Sequence, residues 1–155
     1  MSDLWPDDLT SENLVAPVTI LREQGERLGE RTRNIVVGAV EAVDLYEYMD
    51  DIPVAIDSKN FSYGFYIKSS SINYTYKLFD INHSIDLYPV QINLDSGVAR
   101  ELHLGTAFIS AENEFEFVEA LRKILNTEKT KRIIRAILAQ SPAWSQIKKD
   151  DDLPF

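Results

Sequence analysis

Apolar residues first recur along the chain at helical spacing. Leu14, Val18, Leu21, Gly25, Leu28 and Thr32 follow one another at alternating four- and three-residue steps, which sets them on one face of a helix. Arg22, Glu23, Glu26, Arg27, Glu30 and Arg31 fill the other face with interleaved charges, the pattern of a solvated surface. Pro17 stands where this helix would begin, because a first-turn residue needs no amide hydrogen. Gly25 and Gly29 lower helix propensity, and close approach of the helix to a sheet is the expected reason, with a dimer contact as the alternative. Residues 1–13 ahead of it are polar and acidic and read as a mobile arm, with Trp5-Pro6 as its anchor.

Between residues 34 and 48 the pattern becomes that of a strand. Ile35, Val36, Val37, Ala39 and Val40 are apolar on both parities, as expected where both faces are covered, and polar residues enter later. Gly38 suggests a bulge or bend. Asp50-Asp51-Ile52-Pro53 breaks the strand, and Ile52, Val54 and Ile56 fit a short edge piece. Phe61, Tyr63, Phe65 and Ile67 alternate with Ser62, Gly64, Tyr66 and Lys68. Beyond Ser69-Ser70-Ser71, Ile72, Tyr74, Tyr76 and Leu78 alternate with Asn73, Thr75 and Lys77, which predicts an antiparallel hairpin with one heavy face. Tyr88, Val90, Ile92 and Leu94 predict a third strand that begins at Pro89 or lies at an edge. Val98 to Leu104, after the turn Asp95-Ser96-Gly97, fits a further strand.

Two helices are predicted next. Ser110 caps the first, with the stripe Phe115, Val118, Leu121, Ile124 and Leu125; Thr127 caps the second, with Ile133, Ile134, Ile137 and Leu138. Ser141-Pro142 ends it. Residues 142–155 hold Trp144 and Ile147 but no extended pattern, and read as a flexible tether of about 20 Å r.m.s. span. The order predicts an α+β fold: an N-terminal helix, an antiparallel sheet of about five strands, two C-terminal helices and a flexible acidic tail, with one domain over residues 14–141.

Composition narrows the function classes. A chain of 155 residues with 45% apolar residues suits one globular domain. No cysteine is present, so no disulfide framework or thiolate chemistry is expected, which fits a reducing cytoplasm. Met1 to Asp8 has neither the basic nor the apolar region of a signal peptide, and no apolar run approaches the ~20 residues of a membrane span. The net charge is −9, and −8 with Lys148, Lys149 and the three aspartates after them set aside, which argues against strong nonspecific binding to nucleic acid. The charge is uneven: from Arg122 to Arg135, six basic residues face one acid, Glu128.

The chain closes on Asp150-Asp151-Asp152-Leu153-Pro154-Phe155. This segment resembles the acidic tip of bacterial single-stranded DNA-binding proteins (SSBs), which docks replication and repair proteins. Each residue type suits such docking. A terminal Phe offers a ring to a pocket and a carboxylate to Arg or Lys. Pro154 fixes φ and lowers the entropy lost on binding. Leu153 adds apolar area, and the aspartates supply salt-sensitive attraction to a basic partner. A solvated acidic tail is the alternative. The resemblance covers the tip alone: an SSB of the familiar sort is an OB barrel with its helix between the third and fourth strands, unlike the order here.

Catalytic chemistry is not expected. His83 and His103 have no metal-pair spacing, and no phosphate loop or dinucleotide fingerprint occurs, so neither a metal nor a cofactor is predicted. His83, Ser84 and Asp86 are the residue types of a triad, but neighbours along a strand point apart. Glu41, Asp44 and Glu47 fall on different strand parities and do not converge. For single-stranded DNA as a ligand, Tyr66 with Lys68 and Lys77 is the stacking candidate, on the parity opposite Phe61, Tyr63, Phe65 and Ile67, which are expected in the core. Arg122, Lys123, Lys129, Lys131, Arg132 and Arg135 form a candidate phosphate track; a solvated helix face is the alternative. The leading expectation is a non-enzymatic accessory protein of DNA metabolism whose tip recruits or competes for SSB-tip readers. The alternative is an acidic inhibitor or immunity-type protein that blocks a basic partner. A homo-oligomer is compatible with the sequence, and no membrane partner is expected.

Overall fold

The computed structural model of the chain describes residues 1–10, 12–43 and 60–151. Its elements run α1 (Pro17–Arg31), β1 (Val37–Ala42), β2 (Phe61–Ser69), β3 (Tyr74–His83), β4 (Val90–Leu94), α2 (Ser96–Glu101), β5 (Phe108–Ala111), α3 (Glu114–Leu125), α4 (Glu128–Gln140) and α5 (Pro142–Asp151). The strands form one antiparallel meander in the order β1-β2-β3-β4-β5. The fold is α+β, as the order of patterns predicts. The expected strand residues 44–48 and the edge piece at Ile52, Val54 and Ile56 lie outside the described residues, as do Asp44 and Glu47.

One face of the sheet makes the core. Phe65 and Ile67 of β2, Phe79 and Ile81 of β3, and Val90, Ile92 and Leu94 of β4 are buried together with Leu21 of α1, Phe117, Leu121 and Ile124 of α3 and Ile137 of α4. The stripe on β2 is core where predicted, except that Phe61 stays 40% exposed at the strand's open end. On β3 the period slips. Phe65 pairs with Phe79 but Tyr66 pairs with Lys77, so Leu78 is an extra residue, and both Leu78 and Phe79 are buried. The strand therefore runs to His83, past the predicted end at Leu78, and Ile72 belongs to the turn before it.

The glycines of α1 act by absence. A Cβ on Gly25 would lie 2.1 Å from the Gly38 carbonyl oxygen, and one on Gly38 would lie 2.6 Å from the Gly25 Cα and 2.6 Å from Phe65 Cζ. Gly38 thus marks a helix–strand contact, and the bulge of this region is on β3. The buried hydroxyl of Thr32 joins the two elements, lying 3.0 Å from the Leu28 carbonyl oxygen and 2.7 Å from that of Val36 while accepting from the Val36 amide at 3.1 Å. Leu14 is exposed, so the helix face starts at Pro17, and Trp5 is 73% exposed and does not anchor the arm.

Three further segments differ from expectation. Val98 to Leu104 is not a strand, because the Asp95 side chain accepts from the amides of Gly97 and Val98 and starts α2 there. Ser110 lies in β5, and α3 is capped by Asn113, whose side chain accepts from Glu116 N at 2.9 Å. This cap turns Phe117 into the core and leaves Phe115 74% exposed. Residues 142–151 are helical where a flexible tether is expected. The Ser141 carbonyl accepts from Trp144 and Ser145, and Trp144 and Ile147 pack partly buried against the core. No helix among the described residues is long and apolar enough to cross a membrane.

The Gly25–Gly38 contact leaves no room for a methyl group between two backbones. Gly25→Ala should therefore lower stability by about 3 kcal/mol, or roughly 6–12 °C in Tm. Urea and thermal denaturation read this directly; a wild-type Tm in the variant would contradict the contact.

Candidate docking and nucleic-acid surfaces

Parity places Tyr66, Lys68 and Lys77 on the sheet face away from the core, and the structure brings them together. Tyr66 pairs in register with Lys77, and Lys68 Nζ lies 5.8 Å from the centre of the Tyr66 ring. The ring lies across Gly64, where a Cβ would meet Tyr66 Cε2 at 2.7 Å, so the tyrosine is half-buried rather than standing free. Each lysine also meets a carboxylate. Lys68 pairs with Glu41 of β1, and Lys77 with Asp80 at 2.8 Å. The charges of these four side chains sum to zero, so this surface offers no net positive charge to phosphates.

The same face carries an amide ladder that sequence reasoning missed. Gln91 Nε2 donates to Asn93 Oδ1 at 2.8 Å, and Asn93 Nδ2 donates to Asp80 Oδ1 at 2.6 Å. Asn60, Ser62 and Asn82 complete a shallow polar depression of about 310 Å³ there. The alternation of Asp80 with Asn82, and of Gln91 with Asn93, was its only signal in the sequence.

The six basic residues from Arg122 to Arg135 do not form one track. Arg122 pairs with Glu119 on its own helix, and Lys131 reaches Glu128 at 3.4 Å. Lys129 points to the start of α2, 2.5 Å from Asp95 Oδ2 and 5.8 Å from the Tyr76 ring centre, while Tyr76 donates to Asp95 Oδ1 at 3.2 Å. Lys123, Arg132 and Arg135 are exposed and have no ion pair among the described residues.

Arg135 belongs to a different constellation. With Leu138 and Ala139 of α4, and Trp144, Ser145, Lys148 and Lys149 of α5, it lines a groove of about 540 Å³. The sequence pattern places Trp144, Lys148 and Lys149 in a tether, and the groove exists because that segment is a helix. A proline at the first helical position followed by apolar residues at 144 and 147 was the available signal.

Of the proposed docking tip, Asp150 and Asp151 fall in the last turn of α5, and Asp152, Leu153, Pro154 and Phe155 lie outside the described residues. His83, Ser84 and Asp86 make no proton relay. His83 Nδ1 donates to the Ser84 backbone carbonyl at 2.7 Å, and Ser84 Oγ accepts from the Asp86 amide at 3.3 Å. The imidazole is buried between the rings of Phe61 and Tyr63, and its Nε2 has no hydrogen-bond partner among the described residues.

Burial pushes the Asp95 carboxyl up, but the hydrogen bond from Lys129, the amides of Val98 and Gly97 and the Lys129 charge outweigh it and hold the group below its ordinary value. Because the folded-state value is the lower one, the stabilisation is present above the unfolded value of about 4 and is lost as pH falls through the folded value. Asp95→Ala should cost about 1–2 kcal/mol at neutral pH. The gap to wild type in urea unfolding should narrow on acidification through that range, and a gap independent of pH would show that the carboxylate charge is not what stabilises the cap.

In comparisons with known proteins, the chain matches no family model, no curated protein and no solved structure.

Proposed function

We propose that this chain is a non-enzymatic accessory protein of DNA metabolism, with Asp150 to Phe155 recruiting or competing for proteins that read SSB tips. The observation that carries this reading is the segment itself: three aspartates, then Leu153, Pro154 and Phe155. Its chemistry calls for a partner with an apolar pocket under a basic rim. The fold adds support through placement. The segment starts on α5, and the side chains just before it, Lys148 and Lys149, are exposed, so a partner can approach that end of the helix.

The body plays a separate part in this reading. Its sheet is a meander in which β1 and β5 are not paired with one another among the described residues, unlike the closed barrel of an SSB. Likeness to SSB is therefore confined to the tip, and the domain serves as a carrier that presents it. A second reading draws on the net charge of −9 and the exposed acids Asp3, Asp7, Asp8 and Glu12: an acidic inhibitor that covers a basic partner. That reading makes Phe155 dispensable.

Competition separates the two. A labelled SSB-tip peptide bound to a purified tip-reading protein should be displaced by the wild-type chain, and Phe155→Ala should raise the concentration needed by about 30-fold, the effect of removing a buried aromatic anchor. Equal displacement by wild type and Phe155→Ala would sink tip docking.

A further inference from the structure

We infer that the groove between α4 and α5 binds single-stranded nucleic acid, with Trp144 as the stacking surface and Arg135, Lys148 and Lys149 as the phosphate contacts. This rests on the DNA-metabolism reading above and assigns the strand to the helices rather than to the sheet.

The case starts from charge. Among the cations of the two candidate surfaces, most are already matched: Lys68 by Glu41, Lys77 by Asp80, Arg122 by Glu119, Lys129 by Asp95 and Lys131 by Glu128. Arg135, Lys148 and Lys149 are exposed, have no ion pair with the described side chains before Asp150, and line one groove. Arg132, equally unpaired, sits one helical turn before Arg135 and extends that bank. With these four cations set aside from the net −9, the rest of the chain carries −13. An anion is therefore favoured at this groove over the rest of the surface taken as a whole, and the aspartates that follow Lys149 limit its footprint on that side.

The floor distinguishes a nucleic acid from an acidic peptide. Trp144 is half-buried, held by the packing of α5 on the core, and lines the groove together with Arg135 of α4 and Lys148 and Lys149 of its own helix. A fixed aromatic face flanked by cations is what a base and its phosphates need. A peptide ending in Leu-Pro-Phe needs a deep, desolvated pocket for its ring. Here Arg135, Ala139, Ser145, Lys148 and Lys149 are all exposed, so the groove is shallow and wet.

Trp144 also reports on the site, because the chain has only two tryptophans. In a Trp5→Phe background, a thymidine oligonucleotide of about ten nucleotides should quench Trp144 emission to saturation. Three phosphate contacts imply that the apparent Kd weakens about 20-fold between roughly 50 and 200 mM salt. Arg135→Glu, and separately Lys148→Glu with Lys149→Glu, should each weaken binding on the order of 10-fold or more with an unchanged circular dichroism spectrum. Tyr66→Leu and Lys77→Glu should leave it unchanged, and so should Phe155→Ala, which separates this site from tip docking. The inference is overturned by no quenching at micromolar protein and low salt, or by loss of binding through Tyr66 and Lys77 but not Arg135. It is also overturned if the peptide Asp-Asp-Asp-Leu-Pro-Phe quenches Trp144 at lower concentrations than the oligonucleotide, since the groove would then read acidic tips.

Discussion

The closest constraint in the molecule is the contact of two backbones at Gly25 and Gly38. No side chain fits between α1 and β1 at that point, so the helix lies directly on β1 and the Phe65 ring closes over Gly38. Thr32 then turns the chain from helix to strand through a buried hydroxyl. With α1 seated there, Leu21 reaches the inner face of the sheet, where it joins Phe117, Leu121 and Ile124 of α3 in the core over Phe65, Ile67, Phe79 and Ile81. The helical side of the sheet is thereby set, and the opposite face is left to polar residues.

That one-sidedness decides the electrostatics. A polar sheet face needs partners for its charges, and it finds one across strands and one along β3. Glu41 stands beside Lys68, and Asp80 holds Lys77 while accepting from Asn93. Lys129 is likewise consumed by the cap of α2. Arg132 and Arg135 of α4 and Lys148 and Lys149 of α5 are exposed cations outside these pairings. Net charge alone misleads here, because an acidic chain can still hold a local basic groove.

The parts of the fold that follow from short-range periodicity were legible. The alternation on β2 and the spacing on α4 are visible in the sequence, and Pro17 and Thr127 mark helix starts where the structure has them. What failed to show depends on a single competing bond or one extra residue. Leu78 bulges out of register and shifts the heavy face of β3, which no period-two count anticipates. Asp95 converts an apolar, strand-like stretch into α2, and Asn113, not Ser110, sets the phase of α3. At the candidate sites, parity correctly gathered Tyr66, Lys68 and Lys77, but the partner of Lys68 lies on β1, 27 residues away, and that of Lys77 reaches the same face only because Leu78 bulges. Trp144 was hidden because ten residues with two apolar positions look too weak to fold alone. Packing against α4 supplies what the segment lacks.

The change from tether to helix alters how the tip can work. A flexible segment of fourteen residues would let a docked protein roam on the order of 20 Å from the domain. A ten-residue helix is instead a rod of about 15 Å, and the four residues after Asp151 can extend at most ~14 Å. On the proposed reading, a protein holding Phe155 must then sit close to Lys148, Lys149 and Trp144. Its basic rim, attracted to the aspartates, would meet the same groove cations that a single strand would occupy. Like charges at that distance disfavour simultaneous engagement unless the strand's phosphates lie between them. Tip docking and strand binding would thus be energetically coupled through the shared end of α5, each changing the other's affinity by the same factor, as linkage requires.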